Sequence, residues 1–287
     1  MAVLDDQPRS ASATAEEATD LAFIPRGSLL NLLERSPRLA FSFVREFSQR
    51  LREFDRQYIQ EILQFERLTL VGKFARSIVH DFKNPLAIIG LAADLGASED
   101  ATMEMRRLAK DRICRQVDRL SNMINELLEF TRGSQTASVL AMIDYQQYVS
   151  ELLEEIRPEV AEKSVALISE TAPPKVRLLM DPRRLTHVFY NLIHNAVDAM
   201  PGGGKILLRY TVNEKAVITE VADTGPGIDP QIADRLFEPF ATYGKAKGTG
   251  LGLSICQRII NDHGGQISAR NDPGRGAVFA FSLPRTG

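Results

Sequence analysis

Apolar side chains recur at helical spacing through the first half of the chain. In the second half they give way to shorter, alternating segments. Phe43, Phe47, Leu51, Phe54, Tyr58, Ile62 and Phe65 fall three or four residues apart, which places them on one face and predicts a long amphipathic helix. Leu68, Val71, Ala75, Ile78, Phe82, Pro85, Ile89 and Ala92 follow at spacings of 3, 4, 3, 4, 3, 4 and 3, a coiled-coil-like seam. Gly96 breaks this helix, and Ser98 followed by Glu99 and Asp100 reads as the N-cap of the next. Ile113, Val117, Leu120, Ile124 and Leu127 form the stripe of that second helix, which stops near Gly133. The two helices make an antiparallel hairpin whose apolar stripe is too wide to bury alone. A dimeric four-helix bundle satisfies it.

Beyond the small polar linker of residues 133–138 the pattern becomes mixed α/β. A helix is expected over 144–156, strands over 165–171 and 175–180, and a helix from Pro182 to Met200 capped by Asp181. Residues 205–212 and 216–222 read as a strand pair around Asn213-Glu214. Asp229-Pro230 opens a short helix, and 251–263 a longer one closed by Gly264-Gly265. Residues 266–270 and 277–283 form a last hairpin. The expected organisation is a disordered tail over 1–20, an N-terminal helical segment over 21–65, the hairpin domain over 66–134 and the α/β domain over 139–287.

Composition narrows the class. Of 287 residues, 44% are hydrophobic and 25% charged, enough apolar material for roughly two domains. A net charge of -2 gives no field to draw in nucleic acid. Two cysteines, Cys114 and Cys256, lie in helical patterns and suggest neither a disulfide framework nor a metal cluster. No apolar run approaches the roughly 20 residues of a membrane span, and no signal peptide is evident. A cytoplasmic protein is expected.

Four stretches carry phosphate and base chemistry. Asn191 and Asn195, four apart on one helix face with Asp198 beyond, offer amide oxygens of the kind Mg²⁺ accepts. Asp223-Thr-Gly225-Pro-Gly227 directly follows a strand, where a carboxylate can accept from an exocyclic amine such as that of adenine. Glu238-Pro-Phe240 introduces the polar, small-residue stretch 241–247. Gly248-Thr249-Gly250-Leu251-Gly252 opens a helix, so its backbone can approach phosphate oxygens at a helix N-terminus. Any one of these is commonplace as a surface amide pair, a turn or a linker, and no Walker loop is present. Their order within one domain is what carries meaning.

That order resembles the ATP-binding domain shared by histidine kinases, gyrase, MutL and heat-shock chaperone ATPases. The resemblance implies a two-layer α/β sandwich in which Asn195 binds Mg²⁺, Asn191 supports the phosphates and Asp223 reads the adenine amine. It implies that Gly225 and Gly227 shape the wall of the site. Phe237 and Phe240 pack the base of a mobile lid, and Gly248, Gly250 and Gly252 hinge it. The family often has Thr or Ser in the last strand near Asp223; this chain has Ala277.

The stretch Ser77-Ile-Val-His80-Asp81-Phe-Lys-Asn84-Pro85-Leu is similar to the phospho-acceptor box of sensor histidine kinases. A lone helical histidine is ordinarily just exposed. Here His80 lies off the seam, an acid follows it, and Asn84 and Pro85 sit one turn on, where proline should loosen the helix. Asp81, accepting from Nδ1–H, would leave Nε2 free as the nucleophile. The resemblance implies that His80 accepts phosphate from ATP and passes it to an aspartate on a response regulator receiver domain. It also implies that Asn84 orients a water against that phospho-aspartate, a phosphatase function.

Two other readings use the same residues. One is a non-catalytic, ATP-binding dimeric scaffold that regulates another kinase; the intact Asn195, Asp223 and glycine set disfavours it. The other is a different ATPase of the same fold, such as a serine-protein kinase; the hairpin carrying His80 disfavours it. Residues 24–52 also loosely resemble the tail of a cyclic-nucleotide-binding-type sensor domain, without the β-roll that would hold a nucleotide.

Overall fold

The computed structural model describes residues 12, 14–132, 139–241, 249–272, 274 and 276–285. The expected disorder of the first residues, the linker at 133–138, and most of the lid with its hinge Gly248 therefore lie outside the described residues. The chain divides into two compact units, Met1–Phe65 and Glu66–Gly287. Fourteen labels suffice for the described elements: helices α1 (Arg26–Arg35), α2 (Pro37–Ala97) and α3 (Met103–Arg132), strand β1 (Ala141–Asp144), α4 (Tyr145–Glu162), β2 (Val165–Ser169), β3 (Arg177–Met180), α5 (Pro182–Ala199), β4 (Gly204–Val212), β5 (Ala216–Asp223), α6 (Pro230–Ala233), α7 (Gly252–Asp262), β6 (Ile267–Asp272) and β7 (Gly276–Pro284).

In the first unit the apolar stripe predicted for residues 43–65 is largely solvent-facing, with Phe54, Tyr58 and Ile62 exposed. In the second unit α2 and α3 form the hairpin. At Gly96 an added Cβ would lie 3.1 Å from the Ala109 Cβ. The predicted loosening at Pro85 does not interrupt the helix: Pro85 is buried and α2 continues through it to Ala97. The N-cap is also one turn later than expected. The Thr102 hydroxyl, not Ser98, accepts from the Met105 N–H at 3.2 Å, because the chain spends 98–101 in the turn. Ala92, Ala109, Met123 and Phe130 are buried, whereas Val117 is 47% and Ile124 48% exposed. The stripe thus splits into a face used within the chain and a face left open.

The α/β layer is a five-stranded mixed sheet of order β2-β4-β5-β7-β6, with β2 parallel to β4 and the remaining pairs antiparallel. A separate antiparallel pair, β1-β3, aligns Ala141 with Met180. Strand β1 was hidden in the sequence, because four residues give too short a pattern to separate from the helix that follows. Asp144 and Asp181 cap α4 and α5 by accepting backbone N–H groups, and Pro182 fills the first turn of α5. One apolar core joins α4, α5 and α7 to the sheet, with Ile156, Phe189, Leu192, Ile259, Ile206, Leu208 and Phe281 fully enclosed. Buried Thr219 is satisfied by the Tyr145 hydroxyl at 2.6 Å, so this core polar pair costs little.

Candidate functional site

A cavity of about 690 Å³ opens where the ends of α5, β5 and β7 meet the start of α7. Asn191, Asn195, Asp223, Gly227, Thr249, Gly250 and Gly252 line it, with Ile228, Leu253, Ala277 and Phe279 as apolar wall. Three of the four separate stretches of sequence thus converge on one concave surface, and Ala241 alone joins them from the fourth among the described residues.

Asp223 is buried at the end of β5. Its Oδ1 accepts from the Gly225 N–H at 2.8 Å and the Ala277 N–H at 3.2 Å. That fixes the carboxylate and leaves Oδ2 as the atom available to a ligand. Ala277, where the resembling family often has a hydroxyl, supplies a backbone donor instead. Gly276 is required here, at φ 114°, because a Cβ would collide with the Asp223 backbone and carboxylate oxygens. The turn at Gly225–Gly227 is held from β6: Asn271 Oδ1 accepts from the Ile228 N–H at 2.6 Å and its Nδ2 donates to the Ile228 carbonyl at 2.8 Å. Sequence reasoning missed Asn271, since a strand asparagine carries no local signal of a partner so distant in the chain.

On the opposite wall, Gly252 lies so close to Asn191 that a Cβ would overlap the amide oxygen. Among the described residues no side chain caps the N-terminus of α7, where the first backbone N–H groups have no partner within the helix. The Thr249 hydroxyl accepts from the Leu251 N–H at 3.2 Å.

Several predicted residues sit elsewhere. Leu251 is fully buried in the core and does not face the cavity, because the helix begins at Gly252 and turns that side chain inward. Asp198 is exposed, and neither Asp198 nor Phe237 lines the cavity. Phe240, expected at the lid base, packs on the hairpin. Its ring stacks on Phe74 with centroids 4.4 Å apart and meets Phe130 edge-on at 5.7 Å.

The hairpin also enters the cavity. Glu126 of α3 lines it, and its carboxylate accepts a hydrogen bond from Thr249. Burial raises the Glu126 carboxyl above its ordinary range, a shift moderated by the Thr249 hydrogen bond and the charge of His187. Nothing in the sequence marks this glutamate among the acids of α3.

His80 stands apart on α2, its side chain 71% exposed. Its Nδ1 lies 3.6 Å from Asp81 Oδ1, and Asp81 is partly shielded at 27%. Asn84 is exposed one turn on. Among the described residues lining the cavity, neither His80 nor Asp81 occurs.

Residues 70–136 match the His Kinase A (phospho-acceptor) domain, and residues 180–287 match the family of histidine kinase-, DNA gyrase B-, and HSP90-like ATPases. Both domains of a sensor histidine kinase, the phospho-acceptor hairpin and the ATPase layer, are thus matched within this chain. It is 32% identical over 277 residues to the sensor histidine kinase ZraS of Klebsiella oxytoca, covering 96% of this chain and 59% of that protein. It is 31% identical over 232 residues to sporulation kinase A of Bacillus subtilis, covering 80% of this chain and 38% of that protein. The chain therefore spans only part of the length of these relatives. Among solved structures it is similar to histidine kinase ThkA in complex with the response regulator protein TrrA. That likeness has a TM-score of 0.67 and 27% identity, over 80% of this chain and 66% of that one. No helix among the described residues is long and apolar enough to cross a membrane.

The two matched regions are the hairpin with His80 and the α/β layer with the cavity.

Proposed function

We propose that this chain is the transmitter core of a sensor histidine kinase, which binds ATP in the α/β cavity, phosphorylates His80 and passes the phosphoryl group to an aspartate of a response regulator. The observation that carries this reading is the pairing, in one chain, of an exposed His80–Asp81 couple with a cavity built around Asp223 and two helix-borne amides. Asp223 Oδ2 accepts the adenine amine, and the open N-terminus of α7 with its glycines receives the polyphosphate. Full-length ShkA, 28% identical over 77% of this chain at a TM-score of 0.52, was solved with AMPPNP, and ThkA with its regulator. Those two neighbours support the nucleotide and the partner.

In the first step His80 Nε2 attacks the γ-phosphorus. An N–P bond forms, the bond to the β-γ bridging oxygen breaks, and ADP leaves. Asp81 holds the Nδ1 proton and stabilises the imidazolium that develops. The 3.6 Å separation is longer than a hydrogen bond, so this step requires a side-chain rotation that brings the two groups together. In the second step a carboxylate oxygen of the regulator attacks phosphorus and the N–P bond breaks. The amide oxygens of Asn191 and Asn195 on one wall of the cavity fit Mg²⁺, a hard cation that takes oxygen ligands. When bound, Mg²⁺ would neutralise charge on the phosphates. Asn84 directs a water at the regulator's phospho-aspartate, giving phosphatase activity.

The test is acid-labile, alkali-stable label from γ-labelled ATP. His80→Gln should abolish it while ATP binding stays near the parent value, because the acceptor stands outside the cavity. Label persisting on that variant sinks the assignment.

A further inference from the structure

The end of the cavity at the start of α7 already holds a carboxyl group, and it belongs to the hairpin. A relay runs from the Leu251 N–H to the Thr249 hydroxyl and on to the Glu126 carboxylate. These are the donors at the uncapped N-terminus of α7, where a polyphosphate would bind. Resting on the reading of this cavity as the ATP site, we propose that Glu126 competes with the nucleotide polyphosphate for the Thr249–Gly252 loop, so that ATP binding and docking of the hairpin are alternatives.

The surroundings of Glu126 form a docked junction. Glu129, one turn on, sits 2.6 Å from His187 and 3.9 Å from Arg258. The Arg258 guanidinium also donates to the Glu129 carbonyl at 2.9 Å. Phe240 contacts both Phe74 and Phe130, and Leu70, Val71 and Leu127 pack against the core cluster that joins Phe130 to the α/β layer. Phe240 takes a left-handed backbone, φ 63°, which a bulky side chain rarely adopts. Its N–H is nevertheless bonded to the Gly250 carbonyl at 2.9 Å, so the junction and the phosphate loop are one mechanical piece. Strain of this kind persists only where the surroundings hold it, and here the hairpin rings do. Like charges cannot share the Thr249 hydroxyl in a partly desolvated cavity, so a triphosphate entering there displaces Glu126. Displacement frees the α/β layer from α3, which it must leave to carry its nucleotide to His80, since the docked cavity is walled by Glu126 and not by His80. In thermodynamic terms the two events are negatively coupled, and the coupling is reciprocal.

The experiment measures binding of ATP by equilibrium dialysis to the full chain and to three variants. Glu126→Ala removes the competing anion, and Phe74→Ala weakens the docked junction from outside the cavity. Both should bind ATP more tightly than the parent, by about five- to tenfold. Asp223→Asn serves as the control on the underlying reading and should lose affinity. Affinity unchanged or weaker in Glu126→Ala, with Asp223→Asn impaired, overturns the competition and leaves the ATP site standing. Parent-like binding by Asp223→Asn takes down both. The reciprocal effect has its own readout, since the chain has no tryptophan. Phe74→Trp places a single indole against Phe240, and ATP should shift its emission to the red as the ring is exposed. ATP bound with no shift contradicts the proposal even where Glu126→Ala behaves as expected.

Discussion

His187 Nδ1 on α5 lies 2.6 Å from Glu129 Oε2 on α3, an ion pair that ties the α/β layer to the hairpin. Burial alone would lower the His187 pKa, but the Glu129 hydrogen bond and charge, with Glu126 beside them, raise it above its ordinary value. Burial likewise would raise Glu129, but the His187 hydrogen bond and charge, then Arg258 and Arg184, bring it below. A raised histidine contributes its full stabilisation below the unfolded value of about 6.5 and loses it as the pH rises through the folded value. The lowered Glu129 contributes above its unfolded value and loses its share as the pH falls through the folded one. The pair therefore holds best in the window between them. Thermal melting of the parent should fall, relative to His187→Gln, as the pH is raised from 6 through 8. The groups are partly exposed and screened. A contribution of about 1 kcal/mol would move the midpoint by about 2–4 °C. Parallel curves for the two proteins across that range would remove the ion pair from the junction.

Asp81 and Asn84 flank His80 on one exposed stretch of α2 and should divide its two activities. Asp81→Asn keeps the size of the side chain and removes the charge that stabilises the imidazolium. Its rate of His80 phosphorylation should drop by about a hundredfold or more. Asn84→Ala should phosphorylate at close to the parent rate and fail to dephosphorylate a receiver domain. Rates for both steps on both variants, measured with one genuine receiver, decide the division; normal dephosphorylation by Asn84→Ala would assign Asn84 to helix structure beside Pro85.

Ile124 is an apolar residue of α3 left 48% exposed by a single chain, next in sequence to buried Met123. A second copy is expected to cover it and Val117. Ile124→Glu would bury an unpaired carboxylate in that bundle, at a cost of several kcal/mol. Light scattering at micromolar concentration should give a dimer for the parent and a monomer for the variant. A monomeric parent would end the four-helix expectation.

Asn271 touches no predicted nucleotide atom, yet it clamps the Gly225–Gly227 turn through both ends of its amide. Asn271→Ala removes two hydrogen bonds of about 1 kcal/mol each. The KM for ATP should rise by about tenfold, with kcat much less affected, because the turn shapes the base end of the cavity and not the transferring phosphoryl group. A fall in kcat at constant KM would place Asn271 in a different role.

The sequence by itself determined the local elements and the inventory of chemistry. Helical spacing set α2 and α3, Asp-Pro pairs set the starts of α5 and α6, and glycines set the approach to α7, because propensity, capping and backbone freedom act within a few residues. The same local rules misplaced what depends on partners distant in the chain. Pro85 signalled a loosened helix, yet burial against neighbouring side chains holds α2 continuous. Leu251 read as part of the nucleotide loop, yet one residue of difference in where α7 begins turns it into the core. Strand β1 exists only because β3 pairs with it. Tertiary structure alone decided that Asn271 braces the Gly225–Gly227 turn, that Phe240 meets two hairpin rings, and that Glu126 of the hairpin reaches Thr249 in the cavity. Hydrogen bonds and ion pairs act over a few ångströms of space, and a helix carries many near-identical acids. Which one meets Thr249 is settled by how the hairpin packs against the sheet layer, information that no short window of sequence contains.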